Sequence, residues 1–275
     1  MKSRKITGST DMLLKIAHRT EYHYDAPVHY ALQRVRLVPA NGPTQSVQTW
    51  SLDVDGASKE LRFRDHFGNE TQLLSAEGVP HAIVVEARGE VETRDTNGVF
   101  GPHQGFVPLW LFCQQTPLTA AGEGIGEIAA LIGQGGEIER LHRLSGLVGE
   151  RVRYVTGETD VSTSAEEALA LGAGVCQDHS HVFIAAARAM GFPARYVSGY
   201  LLMDGTTEQA ASHAWAEAHV SGLGWVGFDA ANGISPDERY VRVATGRDYR
   251  DAMPLSGIRT GAGEERLAVR ITIEQ

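Results

Sequence analysis

The amino-acid sequence predicts an α+β fold, with a β-sandwich-like first part followed by a core in which helices precede strands. Three observations predict it. Apolar and polar residues alternate with period two in several short segments of the first hundred residues. Helical composition with start and stop signals appears between residues 123 and 191. Strand-like segments return after residue 196, and helices followed by strands is an α+β order.

The elements follow in chain order. In Leu14 to Tyr24, the set Ile16, His18, Thr20, Tyr22 and Tyr24 alternates with Lys15, Arg19, Glu21 and His23. Val35 to Val38 is a short apolar segment closed by Pro39. Gln48, Trp50, Leu52 and Val54 alternate up to a turn at Asp55-Gly56, and Gly68-Asn69 separates two further strands over 61–67 and 70–74. Ile83 to Val85 and Gly89 to Thr93 complete a β-rich domain over residues 12–100, preceded by a basic, polar extension over 1–11 expected to be disordered. Residues 100–117 hold three prolines and read as a connection to a core over residues 105–275. Helices are expected over 123–132 and 137–148. Ser164 and Glu167 form a capping-box pattern before another short helix. Cys176 to Met190 is a longer helix stopped by Gly191 and Pro193. Strands over 196–202, 214–220, 225–228 and 266–273 close the chain.

Composition narrows the function classes. The chain has 275 residues, long enough to bury a core without disulfides or structural metal. Its net charge of −9 argues against nucleic acid as a partner. The apolar runs fall far short of the roughly 20 residues that span a bilayer, so no membrane partner is expected. The N-terminus has no apolar signal segment, which makes the cytoplasm the expected location. Cys113 and Cys176 are the two cysteines, too few for a disulfide scaffold or a four-thiolate metal site.

Three segments carry chemistry. Gly172 to Asp178 leads small residues into a helix whose first turn contains Cys176. The unpaired N–H groups there carry partial positive charge and stabilise a thiolate. The glycines leave room for a substrate carbonyl, and the Cys176 amide is a candidate oxyanion donor. In Ser212 to Val220, His213, Trp215, Glu217 and His219 take one face of a strand. Ala214, Ala216, Ala218 and Val220 take the other, suited to lie on the alanine-rich Cys176 helix. Gly224 to Gly233 ends a strand at Asp229 and turns at Asn232-Gly233.

Register tests whether Asp229 can serve His213. If Val220 paired with Trp225, Asp229 would point to the opposite side. A five-residue loop over 220–224 pairs His219 with Trp225 and sets Asp229 diagonal to His213 on one face, and a three-residue loop sets them opposite. A nucleophile, a base and an orienting carboxylate would together support acyl transfer through a thioester.

The same residues resemble the transglutaminase-like superfamily, and in particular its bacterial branch regarded as cysteine proteases. The matching pieces are Gly174 to Asp178, Gly191 to Tyr200, Ser212 to Glu217 and Gly224 to Asp229, with His18 to Tyr24, Arg36 to Pro39 and Asp65 to Asn69 in the first part, and Gly246 to Tyr249 with Pro254 to Gly263 near the end. The resemblance implies a papain-like/transglutaminase-like core and catalytic roles for Cys176, His213 and Asp229. It implies a peptide or protein substrate and no cofactor. His179-Ser180-His181 stands where the family often has an aromatic, and Ala230 to Asn232 where a proline is common. Gln177, Trp215, His18 and His66 are further candidates for the substrate groove or oxyanion site. His179, His181 and His219 lie on different faces or elements, so no metal site is expected. Cys113, in an apolar context, reads as buried and inert. Hydrolysis is the expected outcome; amine transfer, peptide binding without catalysis and another amide hydrolase on this core are the alternatives.

Overall fold

The computed structural model describes residues 11–26, 28–78, 82–261 and 263–275. The disordered extension expected over 1–11 therefore lies outside the described residues, Asp11 excepted. Among the described residues, the first part of the chain forms Met12–Tyr24 (β1), Val28–Val38 (β2), Gln45–Asp55 (β3), Ser58–Arg64 (β4), Glu70–Glu77 (β5), Ala82–Thr93 (β6) and Val99–Gly101 (β7). A 3-10 turn, Leu109–Cys113, interrupts the connection. The helices Glu123–Leu131 (α1) and Glu137–Arg151 (α2) follow, then Arg153–Tyr154 (β8), Ala165–Leu171 (α3), Ala173–Gly174 (β9) and Cys176–Ala189 (α4). The remainder comprises Ala194–Leu201 (β10), Glu208–Gln209 (β11), His213–Val220 (β12), Gly224–Phe228 (β13), Tyr240–Gly246 (β14), Tyr249–Ala252 (α5), Leu255–Gly261 (β15) and Glu265–Glu274 (β16).

Three larger sheets organise these elements. Their strand orders are β11-β16-β1-β6-β3, β15-β2-β5-β4 and β14-β10-β12-β13-β7. The first two face each other across Val28, Val35, Leu52, Leu74, Ile83 and Val85, the sandwich core that the alternation predicts. The third sheet packs one face on α4. Alanines 185–187 of α4 lie close to Ala214, Ala216 and Ala218 of β12, since small side chains on both surfaces permit close approach.

Two features differ from the sequence reading. The strands β15 and β16, read there with the core, hydrogen-bond to β2 and β1, while β7 from the first part pairs with β13. Leu14, Ile16 and Val91 also share a buried cluster with Tyr200, Val241 and Val243. The two parts thus meet through sheet pairing and a common core, which local alternation has no means of encoding. Among the described residues, no helix is long and apolar enough to cross a membrane.

Candidate active site

Local backbone chemistry brings Cys176 to a helix start. The Ser164–Glu167 capping box opens α3, and Gly172 closes it in the left-handed conformation (φ 64°) that glycine adopts without penalty. β9 then runs parallel to β8, with Arg153 N–H donating to Gly172 O and Val155 N–H to Gly174 O. The extended Val175 precedes Cys176, the first residue of α4. Asp178, 1 % exposed, accepts at Oδ2 from Val175 N–H (2.7 Å) and from Thr159 Oγ1 (2.7 Å). That carboxylate ties down the peptide entering the nucleophile. It also corrects the role expected of the glycines: a Cβ on Gly174 would come within 2.6 Å of Asp178 Oδ2, so the space there houses the carboxylate.

The β12–β13 hairpin supplies the partners. His219 pairs with Trp225 and Val220 with Gly224, the register that puts His213 and Asp229 on one face. His213 Nε2 lies 2.6 Å from Asp229 Oδ2. That bond occupies Nε2, so Nδ1 is the nitrogen left for the Cys176 thiol, whose interaction with the ring also favours the imidazolium. Burial alone would push the His213 imidazolium down. Asp229 and Cys176 together outweigh burial and hold it up to about 10.

Asp229, 1 % exposed, is surrounded by donors. Its Oδ1 accepts from the N–H groups of Ala231 (3.1 Å) and Asn232 (3.2 Å). Its Oδ2 accepts from Asn232 Nδ2 (2.8 Å) and Tyr240 Oη (2.8 Å) as well as from His213. Burial pushes the carboxyl up, but His213, Asn232 and Tyr240 bring it below the usual range. A carboxylate so solvated stays ionised and orients a cation; it does not take the proton.

Other expected residues fall differently. Trp215 is buried behind His213, its ring 6.3 Å from the imidazole and 5.4 Å from Tyr240. Gln177 Nε2 donates to Asp160 O (3.5 Å), across the loop beside Cys176. His18 is 2 % exposed, bonded to Tyr200 Oη and Thr20 Oγ1 between β1 and β10, and it lines a small cavity that Ser198, Gly199 and Ser212 also border. Burial lowers it to about 4. His66 is exposed and packs on Phe67 (4.1 Å), with no hydrogen bond to the Cys176 constellation among the described residues. Cys113 is partly exposed rather than buried, because Phe112 is the residue of its 3-10 turn that faces inward. His179 sits between Val175 O and Val152 O, and His181 accepts from Tyr249 N–H. Among the described residues, no group of three or more His, Cys, Asp or Glu side chains could hold a metal ion.

Several site residues escaped the sequence reading. The Asp229–Asn232 spacing is a turn signal that could have pointed to Asn232. Tyr240 carries no local signal, because β14 brings it from outside the motif segments. Tyr154, exposed beside His179, stands where the charges of Cys176 and Asp229 add to burial in raising its hydroxyl.

Comparisons with known proteins cover both parts. A family model described as the transglutaminase-like superfamily matches residues 127–230, and one described as the bacterial transglutaminase-like N-terminal region matches residues 14–92. An uncharacterized protein of Mycobacterium leprae is 28 % identical over 274 residues, covering 94 % of this chain and 98 % of that protein. One from Mycobacterium tuberculosis is 29 % identical over 271 residues, covering 89 % and 86 %. A solved structure described as "a Putative Cysteine Protease from Cytophaga hutchinsonii" shares the fold, with a TM-score of 0.74, 22 % identity and coverage of 97 % of this chain and 92 % of that one.

Proposed function

From the match of residues 127–230 to the transglutaminase-like superfamily and of residues 14–92 to its bacterial N-terminal region, we propose that the chain is a cysteine-dependent hydrolase of peptide amide bonds, with Cys176 as nucleophile, His213 as base and acid, and Asp229 as orienting carboxylate. The observation that carries this reading is His213, bonded through Nε2 to Asp229 at 2.6 Å, with the Cys176 thiol near enough to help hold the imidazolium up. His213 takes the thiol proton, and the thiolate attacks the substrate carbonyl carbon. The Cys176 N–H, in the unpaired first turn of α4, donates to the developing oxyanion. The imidazolium returns its proton to the leaving amine, and a thioester remains. Water, deprotonated by His213, then releases the acid and regenerates the thiol.

Amine transfer shares the thioester and differs only in the acceptor. The motifs quoted from the bacterial branch favour water. The substrate is a peptide or protein, and a cytoplasmic setting suits the scheme because thiols stay reduced there. A screen of glutaminyl and other peptides, with and without an added primary amine, tests the assignment. Peptide or ammonia release that requires Cys176 supports hydrolysis, and amine incorporation outrunning release overturns it.

A further inference from the structure

β14 is the outer strand of the sheet that carries His213, so among the described residues its outward peptide groups have no neighbouring strand. Two buried side chains from the first part of the chain take that place. Gln45, 4 % exposed, accepts at Oε1 from Arg242 N–H (2.8 Å) and donates from Nε2 to Arg242 O (2.8 Å). Asn69, 5 % exposed, accepts at Oδ1 from Thr245 N–H (2.8 Å) and donates from Nδ2 to Thr245 O (2.8 Å). A primary amide offers a donor and an acceptor spaced like those of a peptide, so each completes the paired bonds of an antiparallel neighbour. Both amides are themselves anchored. Gln45 Nε2 also donates to Ala40 O (2.9 Å). Asn69 Nδ2 donates to Asp65 Oδ2 (3.1 Å), which is paired with buried Arg36.

The clasped strand reaches the site through Tyr240. This residue precedes Arg242 by two positions, on the same strand face, and its hydroxyl donates to Asp229 Oδ2. Arg242 itself reaches Glu217, which follows Trp215 by two positions on β12. We propose that Gln45 and Asn69 are positioning residues: by clasping β14 from the β-rich part of the chain, they hold Tyr240 on Asp229 and so fix the Asp229–His213 pair. This gives the first part of the chain a role in the site, and it rests on the catalytic reading only in calling that pair functional.

The test follows the proton between His213 and Asp229 by its low-field NMR resonance during acid titration, in Gln45→Leu, Tyr240→Phe and the double variant. Asp229 loses a donor when Tyr240 lets go, so it protonates at higher pH. Gln45→Leu and Tyr240→Phe should each shift loss of the resonance upward by about half to one pH unit. The double variant should shift no further than Tyr240→Phe alone. Asn69→Ser, which keeps one hydroxyl, is the milder variant should Gln45→Leu fail to fold, with the same expected direction. An unmoved resonance in folded Gln45 and Asn69 variants, or shifts that add to that of Tyr240→Phe, would overturn the proposal. Alkylation of Cys176 is measured in parallel. Its failure in the parent protein would sink the hydrolase reading while leaving the clasp decided by the resonance.

Discussion

The Oδ2 atom of Asp229 accepts from His213 Nε2 at 2.6 Å, with the imidazole partly exposed and the carboxylate buried. The buried member is fully solvated by protein donors and the exposed member is left to move a proton, the division of labour a general base requires. Asp229→Asn would offer an amide N–H where the imidazole needs an acceptor, and would disturb the tautomer that leaves Nδ1 for the thiol. We expect turnover to fall by about 10³–10⁴-fold. Steady-state rates on whichever peptide the parent cleaves, with thermal unfolding as a control for folding, would check this. A loss under tenfold would remove Asp229 from the mechanism.

The entry to α4 depends on Asp178. Asp178→Ala removes the acceptor for Val175 N–H and Thr159 Oγ1 and should cost about 1–3 kcal/mol of stability. Gly174→Ala sets a methyl group against the same carboxylate and should destabilise by a similar amount. Urea unfolding of the two variants checks the pair, and wild-type midpoints would show that the loop does not rely on this contact.

Buried charge predicts a third effect. Glu217, 2 % exposed, sits between Arg195 (2.5 Å) and Arg242 (3.0 Å), and the Arg195 guanidinium lies 3.9 Å from the Trp225 ring centroid. Truncating the shared carboxylate would leave two arginines without their counter-charge. Glu217→Ala should therefore lose about 3–5 kcal/mol, and Glu217→Gln less, since an amide retains acceptor capacity. Equal stabilities for both variants in denaturant titrations would contradict this.

His18 makes stability pH-dependent. Its folded value of about 4 lies below its ordinary 6.5, so the unfolded chain binds the proton first. The native state therefore keeps its full stability above pH 6.5 and loses it as the pH falls towards 4. The expected loss is on the order of a few kcal/mol. His18→Gln should reduce the fall in melting temperature across that window, with buried His181, held down to about 3, supplying part of what remains. A parent slope retained in the variant would assign the effect elsewhere.

Much of this was legible in the residues. Alternation around His213, the Ser164–Glu167 box and the register argument on Val220 to Gly224 gave the hairpin and helix starts, because each rests on contacts a few residues apart. The His213–Asp229 pairing was legible too, through motif segments whose side-chain direction follows strand parity. The docking was not. Gln45 and Arg242 are far apart in sequence, and an amide clasp on a strand edge leaves no periodic trace. Tyr240 was missed for the same reason. The burial of His18 was not legible either, because alternation shows that a side chain leaves the sheet on a given face, but not what covers that face.

In the proposed reaction His213 activates Cys176, and the partly exposed Cys113 provides an internal reference for that activation. Iodoacetamide alkylation of both thiols, resolved by peptide mass spectrometry across pH, tests it most directly. We predict that Cys176 labels faster than Cys113 by at least about tenfold near pH 6, and that His213→Ala abolishes the difference. Equal, slow labelling of the two cysteines in the folded parent protein would contradict the account.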